Sequence, residues 1–276
     1  MRKNILILLL SAVMFAVLLT GCGAEAQEEK ELFTVDILST GKSDCALIRM
    51  DELVILSDTG EANDYDTIAT LLRDYGIERI DYVILSHYDK DHIGSAAALI
   101  RSFDVGTVLR PNYRENSEEY HDLVDAVFET ETESITLTEN YIITTANGQI
   151  TVDPPDRDYG DDNNNSLVTT FEFKGHRLLF LGDAQKQRME EFVETAEESY
   201  DFIKLPHHGD SNKPLLRLLQ NTKPQWAAET VGRASDVERE LLAETARLEI
   251  QLFCTCDGPV SLYWDGETLQ AAQTTD

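Results

Sequence analysis

Basic residues are scarce in this chain, which has 23 Lys and Arg against 51 Asp and Glu and a formal net charge of −28. No stretch is rich in Lys or Arg, so the sequence offers no positively charged track for a phosphate backbone. The negative field also repels polyanions at long range. Long nucleic acid is therefore a disfavoured partner unless bound metal reverses the sign locally, and much of the excess acid is typical of solubility outside the cell.

An apolar run long enough to span a bilayer is also missing. The apolar run at 5–19 follows Arg2 and Lys3 but has fifteen residues, fewer than the roughly 20 that a transmembrane helix needs. We therefore interpret residues 1–21 as an export signal rather than a membrane anchor. Leu19-Thr20-Gly21-Cys22 resembles a bacterial lipobox, which implies cleavage before Cys22 and acylation of its thiol. Residues 22–31 would then be a flexible linker that holds the exported protein, through its lipid alone, at the outer face of the bacterial cytoplasmic membrane.

Cysteine is rare as well, with four in the chain. Because Cys22 is assigned to the lipid, Cys45, Cys254 and Cys256 form an odd set for an exported protein, and at least one should be a free buried thiol. Cys254 and Cys256 alternate on a predicted strand and so point to one face. We expect them to pack in the core rather than to bind zinc, and the sequence leaves their disulfide state open.

Residues 32–276 have the size and pattern of one large domain. With 276 residues and 42% hydrophobic content, a single α/β domain is favoured over two small ones. Short antiparallel strands open the domain, and strands then alternate with helices. Two such β-rich halves predict an α/β (α+β) fold in the form of a four-layer αββα sandwich. We expect a short strand at 107–109, small hairpins within 134–152, a long loop at 153–165 and a last strand at 260–264.

The residues best suited to chemistry lie in segment 86–94, at a predicted turn between a strand and a helix. His87, Asp89, Asp91 and His92 present two imidazoles and two carboxylates within six positions. Such a mixed set suits one or two divalent metal ions. A solvated polar turn is the alternative for this segment taken alone.

Two later strands also end in residues that bind metals. The predicted strand at 178–181 leads into Asp183 with a glycine beside it, and the strand at 203–205 leads to His207 and His208. Three strands that each end in potential ligands favour a metal site over a solvated turn.

These segments, taken in order, resemble the metallo-β-lactamase superfamily, whose core motif is His-x-His-x-Asp-His. More specifically, residues 32–264 look like the soluble hydrolase domain of the competence DNA-uptake channel ComEC and its free-standing lipoprotein relatives. The matching segments are Gly41-Lys42-Ser43-Asp44-Cys45, Asp58-Thr59-Gly60, the 86–94 segment, Asn163-Asn164-Asn165-Ser166-Leu167-Val168, Leu181-Gly182-Asp183 and Pro206-His207-His208-Gly209. The match is specific for the fold and much less so for the substrate.

The resemblance implies a site for two divalent metal ions, with zinc ranked before manganese or iron. Its ligands would be His87, Asp89, Asp91, His92, Asp183 and His207. Asp183 would bridge the two ions, and we rank His207 before His208 because it comes first off the strand. Asp91 and His208 carry the predicted catalytic roles, His208 as a proton donor.

The sequence departs from the superfamily pattern around the first metal position. Asp89 stands where the superfamily has its second histidine, and a third histidine ligand is absent. The place of that third ligand falls at Asp162, Asn163 and Asn164, whose side-chain oxygens are the available substitutes. These changes make the site richer in oxygen, which makes manganese and iron rivals to zinc.

Two further segments bear on the surroundings of the metal. The resemblance places Asp44 and Asp58 behind the ligands, where each would orient a metal-binding imidazole. Where the ComEC group often has Gly-His-Pro-Ser, this chain has Gly232-Arg233-Ala234-Ser235. Contacts to the substrate are therefore expected to differ at Arg233.

The function predicted from these features is that of a metal-dependent hydrolase outside the membrane. It would cleave a phosphodiester in a small or polymeric extracellular substrate through attack by metal-bound hydroxide. A carbon-centred hydrolase acting on a lactam or thioester is the alternative, which the missing histidines disfavour. A non-catalytic, metal-stabilised binding lipoprotein is a third hypothesis, supported by the incomplete first metal position and Arg233. The substrate, the metal and the oligomeric state are left open.

Overall fold

The computed structural model describes residues 32–197 and 199–275. The predicted export signal, Cys22 and the linker lie outside the described residues. In chain order the strands are β1 (Phe33–Ile37), β2 (Ala46–Met50), β3 (Leu53–Ser57), β4 (Arg79–Ile84), β5 (Asp104–Pro111), β6 (Glu133–Leu137), β7 (Tyr141–Thr144), β8 (Gly148–Asp153), β9 (Val168–Phe173), β10 (His176–Phe180), β11 (Phe202–Lys204), β12 (Trp226–Glu229), β13 (Gln251–Cys254), β14 (Val260–Trp264) and β15 (Leu269–Gln273). The helices are α1 (Tyr65–Asp74), α2 (Lys90–Ile93), α3 (Ala96–Ser102), α4 (Glu118–Thr130), α5 (Lys186–Thr195), α6 (Lys213–Thr222) and α7 (Arg239–Arg247). None of the helices within the described ranges is long and apolar enough to cross a membrane.

The strands form two sheets whose apolar faces meet. Over the described residues, one sheet has eight strands in the order β15-β14-β1-β2-β3-β4-β5-β6, and the other has seven in the order β13-β12-β11-β10-β9-β8-β7. In β1, Phe33, Val35 and Ile37 are buried and the residues between them are half-buried, as expected for a strand with one apolar face. Phe33 stacks on Phe173 of the opposite sheet with 4.8 Å between ring centroids, so the central core lies between the sheets.

Amphipathic helices cover the outer face of each sheet. Ile68 of α1, Leu99 of α3 and Leu123 of α4 are buried in the core on the outer side of the eight-stranded sheet. Met189 of α5 and Leu215 of α6 are buried in the corresponding core of the seven-stranded sheet. The resulting order of layers is helix, sheet, sheet, helix, which confirms the predicted αββα sandwich.

Parallel pairing decides where the functional loops gather. Strands β3 to β6 are parallel to one another, and so are strands β10 to β13. The carboxyl ends of parallel strands lie at the same edge of a sheet, which is where α/β proteins bind their ligands. The segments that follow β3, β4, β10, β11 and β12 therefore emerge at the edges where the predicted ligands are found.

Three strands differ from the sequence prediction. β5 has eight residues rather than three, because Asp104, Gly106 and Arg110 interrupt its apolar pattern. β6 does not belong to a hairpin, since it pairs in parallel with β5. β15 lies beyond the last predicted strand, and Leu269 is its one buried residue. Its own sequence has no strand pattern, and its extended conformation depends on antiparallel pairing with β14.

The prediction for the cysteines is confirmed for one and wrong for two. Cys45 is a free, buried thiol, as expected for at least one of the three. Cys254 and Cys256 are joined by a disulfide and are half-buried rather than packed in the core. They do not alternate on one strand, because β13 ends at Cys254 and a short 3-10 turn begins at Thr255.

Candidate metal centre

Three of the segments that follow strands bring their polar side chains to one place. His87 follows β4, Asp91 and His92 lie in the short helix α2, Asp183 follows β10 and His208 follows β11. His87, His92, Asp183 and His208 are buried, and Asp91 is half-buried. The five residues thus come together although the first and the last of them are more than a hundred positions apart in the sequence.

Asp183 lies at the centre of this cluster. One carboxylate oxygen, Oδ1, is 3.2 Å from His92 Nε2, and the other, Oδ2, is 3.4 Å from His208 Nε2 and 3.9 Å from His87 Nε2. Asp91 Oδ2 lies 3.3 Å from the same His208 nitrogen. A carboxylate that faces three imidazoles in this way has the geometry of a bridging ligand, the role that the resemblance implies.

The three imidazoles are oriented from behind through their Nδ1 atoms. His92 Nδ1 is 2.9 Å from Asp58 Oδ2, and His87 Nδ1 is 3.0 Å from Ser86 Oγ. His208 Nδ1 is 3.1 Å from Thr230 Oγ1. Metal-binding histidines commonly bond one ring nitrogen to such a partner and keep the other for the metal. Here each Nε2 is the nitrogen that faces the cluster.

Several atoms of the cluster have no hydrogen-bond partner among the described residues. They are His87 Nε2, His92 Nε2 and Asp183 Oδ1, and all three are buried. His92 Nε2 and Asp183 Oδ1 are 3.2 Å apart but are not aligned as a hydrogen bond. Buried polar atoms are nearly always satisfied, so a group of orphaned ligand atoms that face each other calls for an explanation. A divalent cation provides one, because imidazole nitrogen and carboxylate oxygen are ordinary ligands for such ions. The residues present therefore fit a metal.

The electrostatics of the cluster favour positive charge at its centre. Although burial disfavours the charged imidazole, hydrogen bonds to Asp183, Asp44 and Asp91 raise the pKa of His208 to about 10. The pKa of His92 is likewise raised well above its usual value, against the effect of burial, by Asp183 and Asp58. Metal ions compete with these protons, so metal binding should release protons and tighten as the pH rises.

The structure corrects the predicted order of His207 and His208. His207 lies outside the cluster, with its Nδ1 3.3 Å from Asp210 Oδ2 and its side chain 29% exposed. The cause is the backbone, since His207, His208 and Gly209 have φ angles of 47°, 55° and 90°. This left-handed turn carries the second imidazole inward. Gly209 permits it, because a Cβ at that position would clash with the Glu229 carboxylate.

A second glycine lets the strand ends approach closely. Gly182 has a φ of 52°, and a Cβ added to it would lie 2.6 Å from the Cβ of Ser86. The end of β10 can therefore press against the end of β4. Asp183 is held in turn by a hydrogen bond from its backbone N–H to Ser166 Oγ, 3.1 Å away.

The first metal position, at His87 and Asp89, is more exposed than the cluster around His92 and His208 and has fewer ligands. Asp89 Oδ2 lies 3.5 Å from His87 Nε2, and the Asp89 side chain is 44% exposed. Burial, together with the neighbouring carboxylates of Glu115 and Asp89, raises the pKa of Asp162 to about 6. Asp162 therefore lies within electrostatic reach of Asp89 and His87. Asn163 Oδ1 is a further buried oxygen without a hydrogen-bond partner among the described residues.

Asn164 was predicted to face the site, but it has a different role. Its Oδ1 accepts hydrogen bonds from the backbone N–H groups of Gln187 and Arg188 at 3.0 and 3.1 Å. These are the free N–H groups of the first turn of α5. Asn164 therefore fastens the long loop to that helix, which accounts for its burial without a bound metal.

Sequence reasoning missed several residues around the cluster. Ser86 and Thr230 each place a hydroxyl against a histidine, and Glu115 lies beside Asp162. Lys204 is buried and bonds Asp44. A signal existed for Lys204, because a lysine between the buried apolar residues of a central strand needs a charged partner. Ser86 begins the matched 86–94 segment but was given no role, and nothing in the local sequence distinguishes Thr230 from other strand-end hydroxyls.

Glu229 gives a prediction that concerns stability rather than metal binding. Its carboxylate is fully buried and neither oxygen has a hydrogen-bond partner among the described residues. Burial first, and then repulsion by Glu238, raise its pKa from 4.5 to about 7. Between these pH values the unfolded chain loses the proton and the folded protein keeps it, so the free energy of unfolding falls as the pH rises.

We expect Glu229→Gln to remove this pH-dependent fall in the free energy of unfolding. The fall amounts to about 3 kcal/mol at 1.36 kcal/mol per pKa unit. Urea denaturation of wild type and Glu229→Gln, at pH values below 4.5 and above 7, measures it. The variant should gain stability relative to wild type only at the higher pH. An equal difference between the two proteins at both pH values would show that Glu229 does not titrate in this range.

Comparison with known proteins agrees with the geometry. A family model described as the metallo-beta-lactamase superfamily matches residues 38–225, a range that includes the whole cluster. The chain therefore belongs to the metallo-β-lactamase superfamily. It is a metal-dependent hydrolase by family, and its candidate ligands are the histidines and aspartates described above.

The relatives place the chain more narrowly within that superfamily. It is 25% identical over 215 residues to Recombination protein 2 of Haemophilus influenzae, a match that covers 75% of this chain and 25% of that protein. It is 26% identical over 160 residues to ComE operon protein 3 of Bacillus subtilis, covering 57% of this chain and 21% of that protein. The matches span at most a quarter of these relatives, and they confirm the predicted resemblance to the ComEC group.

A solved structure is also similar to the fold. The metallo-beta-lactamase fold protein YhfI from Bacillus subtilis superposes with a TM-score of 0.56 at 13% sequence identity. The similarity covers 87% of this chain and 100% of that protein. At this identity the likeness establishes the fold and says nothing about the substrate.

Proposed function

We propose that this protein is an exported phosphodiesterase that uses two divalent metal ions held by the cluster around Asp183. The observation that carries the proposal is the set of buried, unpartnered ligand atoms, His87 Nε2, His92 Nε2 and Asp183 Oδ1, which face one another. Bound divalent ions supply a water molecule with a pKa near 7 and take up charge on the attacked group.

The residues divide naturally between two metal positions. Asp91, His92 and His208 have ligand atoms within 4.8 Å of one another and would hold one ion, with Asp183 as the fourth ligand. His87 and Asp89 would hold the other ion and share Asp183. We assign His208 to the metal and not to proton donation, because its Nδ1 is bonded to Thr230 and its Nε2 faces the cluster.

The composition of the first metal position supports phosphodiester chemistry over lactam hydrolysis. His87 is the one imidazole there, beside the carboxylates of Asp89, Asp183 and the nearby Asp162. Oxygen-rich sites favour harder ions such as manganese, which in turn bind the hard anionic oxygens of a phosphodiester. No observation favours the alternative, a carbon-centred hydrolase, over the phosphodiesterase.

The charge of the protein supports a small substrate. The net charge of −28 repels a long polyanion, whereas a single phosphodiester group can be drawn in by the metal ions alone. The proposed location depends on the predicted lipid at Cys22. Mass spectrometry of the mature amino terminus tests it, and a chain that still begins at Met1 would contradict it.

An assay of the metal-loaded protein separates the proposed activities. Metal-free protein is loaded with zinc or with manganese and offered bis-p-nitrophenyl phosphate, a dinucleotide and long DNA, with nitrocefin in parallel. We expect hydrolysis of the two small phosphodiesters, little of long DNA, and none of nitrocefin. Turnover of nitrocefin without phosphodiesterase activity would overturn the proposal in favour of the carbon-centred hydrolase.

A further inference from the structure

Lys204 is an unusual residue for its position in the fold. It is the last residue of β11 and lies between Ile203 and Leu205, and all three are buried. Removing an ammonium group from water costs several kcal/mol unless a charged partner compensates for it. The Lys204 Nζ donates to Asp44 Oδ2 at 2.5 Å and to the carbonyl oxygen of Leu205 at 3.1 Å. Asp44 is therefore the carboxylate partner of this buried lysine.

Asp44 also connects Lys204 to the metal cluster through hydrogen bonds. Its other oxygen, Oδ1, accepts a hydrogen bond from Thr230 Oγ1. Thr230 Oγ1 in turn lies 3.1 Å from His208 Nδ1, and Asp44 Oδ1 is itself 3.5 Å from that nitrogen. Lys204, Asp44, Thr230 and His208 thus form a hydrogen-bonded chain, and each of its members is at most 6% exposed.

Lys204 determines which groups donate and which accept along this hydrogen-bonded chain. An ammonium group can only donate, so Asp44 accepts from Lys204, and it accepts from Thr230 as well. Because the Thr230 hydrogen points to Asp44, the Thr230 oxygen accepts from His208 Nδ1–H. The proton of the neutral imidazole is then on Nδ1, and Nε2 has a free lone pair beside Asp91 and Asp183.

We propose that Lys204 and Thr230 are positioning residues that hold His208 in the tautomer required for metal binding. The inference rests on the proposed function in that it treats His208 as a metal ligand. Without Lys204, the Asp44 carboxylate loses the donor that holds it in place, and the Thr230 hydroxyl is no longer held toward Asp44. Thr230 would then donate to His208 Nδ1, and the imidazole proton would lie on Nε2, where it blocks the metal.

His92 provides an internal contrast. Its carboxylate partner, Asp58, accepts hydrogen bonds from Ser86 N–H at 2.7 Å and from Ser86 Oγ at 2.8 Å. Neutral donors from the neighbouring loop suffice there. His208 uses a buried cation and a hydroxyl for the same purpose. The affinity for the ion that Asp91, His92 and His208 would hold should therefore depend on Lys204 and Thr230, and the affinity for the ion assigned to His87 and Asp89 should not.

The test is zinc affinity, measured by competition with a chromophoric chelator at neutral pH. In Lys204→Met and in Thr230→Val, we expect the affinity for one zinc ion to fall about 10–100-fold, the range found when partners of metal-binding histidines are removed. Thr230→Ser restores the hydroxyl and should bind as wild type does. The double variant should lose little more than either single variant, because both break the same chain.

Thr222→Val is the matched control, since Thr222 is buried and its hydroxyl bonds the Leu218 carbonyl within α6. Thermal melts show which variants fold, and if Lys204→Met does not, Thr230→Val against Thr230→Ser carries the test. Nitrogen-15 spectra of the zinc-loaded protein provide a second readout, with the His208 proton on Nδ1 in wild type.

Two outcomes would overturn the proposal, and only the second would also contradict the proposed function. Folded Lys204→Met and Thr230→Val proteins that bind zinc within about threefold of wild type contradict the positioning role and leave the proposed function intact. Wild-type protein that binds no metal contradicts the proposed function and this inference together.

Discussion

Asp183→Asn should abolish both metal binding and hydrolysis in a protein that still folds. The Asp183 carboxylate lies 3.2 to 3.9 Å from the Nε2 atoms of three histidines, so one substitution weakens both metal positions at once. Asparagine has nearly the same volume but supplies neither the charge nor the second carboxylate oxygen. We expect less than one tightly bound metal per chain, and phosphodiesterase activity lower by about 10³-fold or more, since the activated water is lost with the metal.

Asp51→Asn is the control for this experiment. Asp51 also accepts hydrogen bonds, from the Asn147 backbone N–H at 2.9 Å and from Asn147 Nδ2 at 2.6 Å. It lies between β2 and β3, at the opposite end of these strands from Asp58. Asp51→Asn should therefore keep its metal and its activity. An Asp183→Asn protein that retains two metals and at least half of the wild-type activity would refute the bridging role.

His208→Ala and His207→Ala should have opposite outcomes despite being neighbours. His208 Nε2 is 3.3 Å from Asp91 Oδ2 and 3.4 Å from Asp183 Oδ2, whereas His207 contacts Asp210 away from the cluster. We expect His208→Ala to lose one of the two metals and about 10²-fold or more of the activity. His207→Ala should keep both metals and stay within a few-fold of wild-type activity.

Elemental analysis and steady-state rates on the two variants, purified in parallel, decide the matter. Each variant is the other's control, because both remove one imidazole from the same turn. Loss of a metal in His207→Ala with retention in His208→Ala would restore the order that the sequence suggests. It would also remove the basis for the positioning role proposed for Lys204 and Thr230.

Most of the fold could be predicted from the sequence because its signals are local. Strands such as β1 alternate buried and half-buried residues, and helices such as α1 carry apolar residues at helical spacing. β15 has no such signal, since Leu269 is its one buried residue. Its conformation depends on pairing with β14, a contact that no local pattern encodes.

The candidate site was predictable to the level of segments but not of every side chain. His87 and Asp183 come shortly after β4 and β10, and Asp91 and His92 lie in α2, which follows His87. Carboxyl ends of parallel strands gather at one edge. The choice between His207 and His208 depends on three successive residues with positive φ. Non-glycine residues seldom adopt that conformation, so sequence order was a poor guide to which imidazole turns inward.

The partners behind the ligands depend on contacts that are remote in sequence. Lys204 and Asp44 are 160 positions apart, and Thr230 and Asp44 are 186 apart. Asp44 could be assigned a supporting role from the resemblance, but not the lysine and threonine that hold it. Such pairings arise only when the two sheets pack face to face, which places loops from opposite ends of the chain against each other.

The metal content of the wild-type protein tests the central claim most directly. The full chain is purified without chelators or metal-affinity resin and analysed for transition metals against its protein concentration. The dinuclear site predicts close to two divalent ions per chain, with the number falling below one in Asp183→Asn. Wild-type protein with fewer than one ion per chain, unchanged by that substitution, would contradict the account and favour a non-catalytic binding protein.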